Sequence, residues 1–170
     1  MPKVELEPAG LERRDTLHAL FQLYTHDFSD FWAGTDRGEL GEDGRFPDYP
    51  YLDSYWAEPQ REPFLIRADR HLAGFVLIND HSHSGLPPDF AVAEFFVVRK
   101  HRRGGVGRAA ARAAIAGREG QWELAVARKN EAALAFWRGV AAELAAGPVD
   151  ELDTTDRWNG WILRFNVGPA

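Results

Sequence analysis

The chain has no cysteine, which excludes a disulfide framework, a thiolate zinc site and a cysteine nucleophile together. Any catalysis has to use other groups, and no metal is expected. No run of apolar residues is long enough to cross a bilayer, so no membrane partner is expected. The opening residues Met1-Pro2-Lys3-Val4-Glu5 lack the basic-then-apolar order of an export signal, and the expectation is a cytoplasmic protein. Internal repeats and low-complexity tracts are also missing. A local absence is more informative. Between Phe95 and Arg118 there is no acidic residue, while seven bases occur there, Arg99, Lys100, Arg102, Arg103, Arg108, Arg112 and Arg118. Such a stretch suits the docking of an anion. Residues 1–60 show the reverse, with thirteen carboxylates against five bases.

What is present fits one globular domain spanning 1–170: 170 residues, 45% hydrophobic and 27% charged. The formal net charge of −6 argues against a nucleic-acid partner, and the basic segment lacks the interleaved aromatics that stack on bases. Val4 and Leu6 alternate with charges as in a short strand, and Leu11 to Phe28 carries apolar residues at helical spacing. Residues 29–63 are rich in Gly, Pro, Asp and aromatics and read as an irregular region with one more helix near Leu52–Ala57. Phe64–Ile66 and Leu72–Ile78 flank Asp69-Arg70-His71 as a hairpin. Phe90–Val98 is the strongest strand signal and is expected at the centre of a sheet. Gly105–Gly117 reads as a helix, Trp122–Ala127 as a strand, and a helix capped by Asn130 follows, stopped by Gly147-Pro148. Strands are expected near Val149–Thr155 and at Trp161–Val167.

The segment Arg102-Arg103-Gly104-Gly105-Val106-Gly107 lies where a buried strand ends and a helix begins, so successive amides and the positive helix end can converge on phosphate oxygens. No Gly-Lys-Ser/Thr closes it, and it does not fit Gly-x-Gly-x-x-Gly, so nucleotide hydrolysis and hydride transfer drop in rank. What it fits is Gln/Arg-x-x-Gly-x-Gly/Ala after a strand. With the flanking strands and Asn130-x-x-Ala133-x-x-Phe136-Trp137, the chain resembles the GNAT superfamily of N-acetyltransferases, bacterial members of unassigned substrate in particular. By element order the resemblance spans nearly all of the chain except the aromatic region at about 29–63.

The resemblance implies an α/β fold, α+β by another convention: a mixed, mostly antiparallel sheet of six or seven strands flanked by helices. It implies acetyl-coenzyme A as cofactor. Backbone groups of Phe95, Phe96, Val97 and Val98 would meet the pantetheine arm as an added strand. Arg102, Arg103, Gly104, Gly105, Val106, Gly107 and Arg108 would hold the diphosphate, mostly through main-chain N–H groups, with side-chain charge from Arg103 and Arg108 if they do not simply face water. Asn130 would lie beside the pantetheine or act only as a helix cap. The family pattern often has a tyrosine seven residues after this asparagine that protonates the departing thiolate. Here the position is Trp137, whose indole is no usable acid, so either the thiolate leaves with solvent's help, or Trp137 only packs against the cofactor, or another residue protonates it.

The implied reaction is direct attack of a primary amine on the thioester, which calls for a base. Glu94 is the candidate, as the lone carboxylate of an apolar strand, where burial would raise its pKa; the alternative is that it points outward or pairs with an arginine. His81 and His83 lie in the loop feeding the same strand and are weaker candidates. Ten of the twenty-one aromatics fall between Phe21 and Trp56. With the Asp residues among them, they suggest a cleft for a small cationic amine or peptide, with Tyr24, Trp32 and Tyr55 as substrate-binding candidates; the alternative is a hydrophobic cluster under a long loop. A module that senses acyl-coenzyme A without turnover is the competing reading, kept open by Trp137. The protein could be a monomer or a homodimer.

Overall fold

A computed structural model describes residues 1–170. The elements are β1 (Val4–Pro8), α1 (Arg14–Ser29), α2 (Ser54–Ala57), β2 (Glu62–Ala68), β3 (His71–Asn79), β4 (Phe90–Val97), α3 (Val106–Ile115), β5 (Gly120–Ala127), α4 (Glu131–Leu144), β6 (Asp150–Thr154) and β7 (Gly160–Val167). They build one seven-stranded sheet in the order β1-β2-β3-β4-β5-β7-β6. All neighbours are antiparallel except β4 and β5. The expected mixed sheet is therefore present, and β4 is its central strand. No helix is long and apolar enough to cross a membrane.

The β2–β3 hairpin closes on Asp69 and Arg70, which take φ of 46° and 70°. Two successive positive φ values match the right-handed twist of the strands they join. Lys3 fastens this turn by donating its amide to the Asp69 carboxylate at 2.8 Å.

Both faces of the sheet are covered. On one, α3 and α4 pack over Val76, Ile78, Trp122, Leu124, Leu163 and Phe165. On the other, α1 and the segment after it cover Leu65, Phe75, Leu77 and Phe96. Helix α3 buries Val106, Ala110, Ala111, Ala114 and Ile115, and Ile115 contributes more apolar area to this face than an alanine would. Helix α4 buries Leu134, Trp137, Val140 and Ala141.

The sheet is split at its middle. Strands β4 and β5 pair only at Phe90–Trp122, Ala91–Glu123 and Val92–Leu124. Beyond Val92, β4 stays with β3 as far as Val97, and β5 stays with β7 as far as Ala127. The two halves of the sheet diverge from there and leave a wedge. Below it, the loop before β4 is anchored by the buried Glu123, which accepts the His83 amide at 2.6 Å, the Ser84 hydroxyl at 2.7 Å and the Arg164 guanidinium. Paired and multiply hydrogen-bonded, this carboxylate meets the condition for a charge to be tolerated in a core.

Candidate active site

The wedge opens into a cavity of about 1150 Å³. Its walls come from β4 (Val92, Glu94, Phe95, Phe96, Val97), β5 (Leu124 to Ala127), the loop and start of α3, the first half of α4, and α1 with the residues after it.

The loop end is made of main chain. Arg103 has φ of 62° and Gly105 has φ of 81°, so the backbone turns through the left-handed region twice before α3 begins. A non-glycine residue there costs about 1–2 kcal/mol, and such strain collects at ligand sites. Gly105 is the N-cap and offers no side-chain acceptor. The amides of Arg103, Gly104, Gly105, Val106, Gly107 and Arg108 donate to no backbone or side-chain acceptor; the first amide of the helix that does is Ala109, bonded to Gly105 O at 3.0 Å. Six consecutive free donors at a positive helix end form a cradle able to hold a diphosphate.

The arginines of this segment are mostly engaged elsewhere. Arg102 donates from Nε to the Val97 carbonyl at 2.7 Å and from its Nη to Asp27. Arg99 reaches the same carboxylate at 2.9 Å. Burial alone would raise the Asp27 carboxyl, but Arg102 and Arg99 outweigh it and hold it below the usual range. Arg108 and Arg112 both pair with Glu143 of α4, at 2.5 and 2.6 Å. Of the loop arginines expected to supply charge, Arg103 alone makes no ion pair while lining the cavity. Gly104, Val106 and Val98 do not line it: Val106 points into the core, and Val98 lies just past the strand. Gly104 and Val106 can contribute only through the backbone, and Val98 does not, because its amide is bonded to Ala73 and its carbonyl accepts the His101 amide at 2.9 Å.

Along β4 the backbone alternates. Val98 donates its amide to Ala73 of β3 at 2.8 Å, so the polar groups of Phe96 also turn to β3, against the expectation of a cofactor contact. Those of Phe95 and the Val97 amide lie on the other edge, facing the wedge, while the Val97 carbonyl is held by Arg102. Asn130 caps α4, accepting the Ala133 amide at 3.2 Å, and it also lines the cavity. Trp137 is nearly buried, edge-on to Phe95 at 5.1 Å and to Phe136 at 4.9 Å. It packs the cavity wall in the place of a hydroxyl group.

Glu94 sits at the far side of the wedge. It makes no salt bridge, and it accepts the Tyr24 hydroxyl at 2.6 Å. Burial raises its carboxyl to about 7, against the opposing hydrogen bonds of Tyr24 and Tyr49. Next to Tyr24 run Phe28 (5.0 Å between centroids), Phe31 (5.4 Å from Phe28) and Trp32 (5.9 Å from Phe28). Tyr49 stacks on Phe21 at 4.6 Å. The segment carrying Phe31 is held to the β5–α4 corner by Lys129, which donates to the Phe31 carbonyl at 3.1 Å.

Several expectations need correction. Tyr55 is in the core, 3% exposed, with its hydroxyl accepting from Asn79, and it does not reach the cavity. His81 and His83 lie outside the cavity; the His83 ring packs on Trp158 at 4.6 Å, and burial lowers its pKa. Of the acidic residues in the aromatic region, Asp53 pairs with Arg14, and Asp30 and Asp36 do not line the cavity, while Asp48 lines it and reaches Arg45 at 3.7 Å. Sequence reasoning assigned no role to the lining residues Arg37 and Trp158, and it did not show the contact of Tyr49 with Glu94 or of Asp27 with the loop arginines.

The sequence matches the model of the Acetyltransferase (GNAT) family over residues 17–140. No curated protein matches it. Among solved structures, it is similar to an acetyltransferase from Thermus thermophilus, with 19% identity, TM-score 0.65, and 97% and 99% of the two chains covered. It is also similar to PaiA N-acetyltransferase from Thermoplasma acidophilum in complex with coenzyme A (14%, TM-score 0.55, 96% and 99% covered). A third is a chimera of spermidine N-acetyltransferase SpeG from Vibrio cholerae and hSSAT (14%, TM-score 0.54, 96% and 94% covered). The chain belongs to the GNAT acetyltransferase family, and it is an acyltransferase that uses acetyl-coenzyme A.

Proposed function

We propose that the whole chain, 1–170, acts as one N-acetyltransferase unit that acetylates a primary amine by direct attack, with Glu94 as general base. The observation that carries this reading is the unpaired Glu94 carboxyl, raised to about 7 by burial at the wall of the wedge. A carboxyl with that pKa is half ionised near neutrality, where a base combines availability with proton affinity. Acetyl-coenzyme A supplies an activated acetyl group as its thioester.

The chain's own residues do the rest. The amides from Arg103 to Arg108 bind the diphosphate, and the free edge of Phe95 and Val97 aligns the pantetheine. Glu94 takes a proton from the acceptor ammonium, leaving the neutral amine to attack the thioester carbonyl, and the Tyr24 hydroxyl fixes which carboxylate oxygen is free to do so. Trp137 excludes water but donates no usable proton, so the thiolate leaves without acid help from that position, a loss worth about 10²–10⁴ in rate. The same residue supports a second reading, a sensor that binds acyl-coenzyme A without turnover.

The support for a cationic acceptor is reduced by the pairing of Asp27 and Asp53 described above, which leaves the amine as the defined feature of the acceptor. The test is thiol release from acetyl-coenzyme A with a panel of primary amines. Amine-dependent thiol release supports transfer. Cofactor binding with no release for any amine supports the sensor.

A further inference from the structure

The chain has twenty lysines and arginines, and those in no ion pair with a carboxylate are Arg37, Arg70, Lys100, Arg103, Lys129 and Arg157. Only two of these six, Arg103 and Arg37, line the cavity. Arg103 belongs to the diphosphate cradle. Arg37 comes from a separate part of the chain, after α1, and has no role in the cofactor reading.

Its setting is specific. The Arg37 guanidinium lies over the Trp32 ring at 4.4 Å. Trp32 contacts Phe28, Phe28 contacts Tyr24, and the Tyr24 hydroxyl meets Glu94. All of these residues line the cavity. A strip of aromatic rings therefore leads from the base to an unpaired cation. The guanidinium lies over the ring, and its N–H groups, which donate to no protein acceptor, are free for the paired hydrogen bonds that carboxylate and phosphate oxygens accept.

We propose that Arg37 anchors an anionic group on the acceptor, so that the substrate is a primary amine with a flat or apolar body and a carboxylate or phosphate remote from the amine. In this proposal the anion is set apart from the carbon bearing the amine, since the side chains of Phe28 and Trp32 stand in the contact path from Tyr24 to Arg37, with steps of 5.0, 5.9 and 4.4 Å. This inference rests on the transfer reading above and adds to it the class of acceptor. The side chain selects by charge, and a dication placed along the same strip meets repulsion from Arg37.

The test uses matched pairs differing in the anion: phenethylamine with 4-(2-aminoethyl)benzoate, and tyramine with tyramine O-phosphate. Putrescine is the dicationic control, and phenylalanine places the carboxylate beside the amine. In the wild type, the anionic member of at least one pair is expected to have kcat/KM higher by about tenfold or more, the size of one charge-assisted pair. The pair that shows it assigns carboxylate or phosphate. In Arg37→Ala that ratio falls toward one through KM, Arg37→Lys recovers part of it, and Arg37→Glu shifts preference to putrescine. Equal use of paired amines, preference for putrescine or phenylalanine in the wild type, a ratio retained in Arg37→Ala, or no turnover of either pair overturns the proposal. Weakened coenzyme A binding in Arg37→Ala would assign the residue to the cofactor and overturn it as well. Binding of coenzyme A by the wild type is measured in parallel. If it is present and the pairs are used equally, only this inference fails; if it is absent, the transfer reading fails first.

Discussion

The two ends of the cavity are built from different materials. At the loop end the unpaired groups are peptide amides, in a turn with two left-handed residues beside the salt bridges from Asp27 to Arg99 and Arg102. At the other end they are side chains: Glu94, Tyr24, Phe28, Trp32, Tyr49 and Arg37. A main-chain cradle reads only charge and shape, and every cofactor of one class presents the same diphosphate to it. A side-chain wall reads chemistry, and it can be changed residue by residue without disturbing the sheet. The difference explains why the cofactor is a property of the family while the acceptor belongs to the individual chain.

This contrast predicts that substitutions at the loop act on cofactor binding and those at the aromatic end on turnover or acceptor choice. The largest effect is expected at Gly105, where φ of 81° strains any side chain and a large one obstructs the amides. In Gly105→Trp, the rise in melting temperature caused by coenzyme A should vanish; a full rise in that variant would break the contrast. Glu94→Gln is expected to lower kcat by about 10²–10⁴ while leaving the coenzyme A-induced rise intact.

In the wild type, kcat/KM should climb with pH to a plateau above about 7, as Glu94 loses its proton. The stability effect has the opposite sign. The folded carboxyl titrates at about 7 and the unfolded one near 4.5, so the folded state binds more protons between these values and stability from this group falls as pH rises through that window. Comparing melting temperatures of wild type and Glu94→Gln from pH 4 to 8 measures this component, which the variant should lack.

Asp27→Asn sharpens the comparison because two effects predict opposite signs. Removing a carboxylate near a diphosphate should tighten binding if charge alone matters. If Asp27 acts by fixing Arg99 and Arg102, binding should weaken, by about tenfold for the loss of a charge-assisted hydrogen bond. Calorimetric titration with coenzyme A decides, and weakening is expected. The smallest effect is at Arg103, whose φ of 62° favours glycine. Arg103→Gly should gain about 1 kcal/mol of stability from relief of strain and lose a few-fold in coenzyme A affinity.

What the sequence disclosed follows the range over which each feature is encoded. The β2–β3 hairpin, the strand before the loop, the glycine turn and the Asn130 cap depend on neighbouring residues, and all were legible. Pairings across the chain were not. Asp27 meets Arg99 and Arg102 across more than seventy positions, and no local pattern marks it. Tyr24 and Tyr55 look alike in sequence, yet one faces the cavity and the other fills the core beside Leu52 and Leu65. Arg108 reads as a phosphate ligand until α4 brings Glu143 against it. Glu94 was legible as an isolated carboxylate in an apolar strand, but the tyrosines that surround it were not.

The account depends on the run of amides from Arg103 to Arg108 being the place where the diphosphate binds. Backbone ¹H–¹⁵N spectra recorded during titration with coenzyme A test this residue by residue. The account predicts that the largest shifts fall on these amides and on Phe95 and Val97 of the free strand edge. Saturable binding that leaves the loop amides unmoved would contradict it.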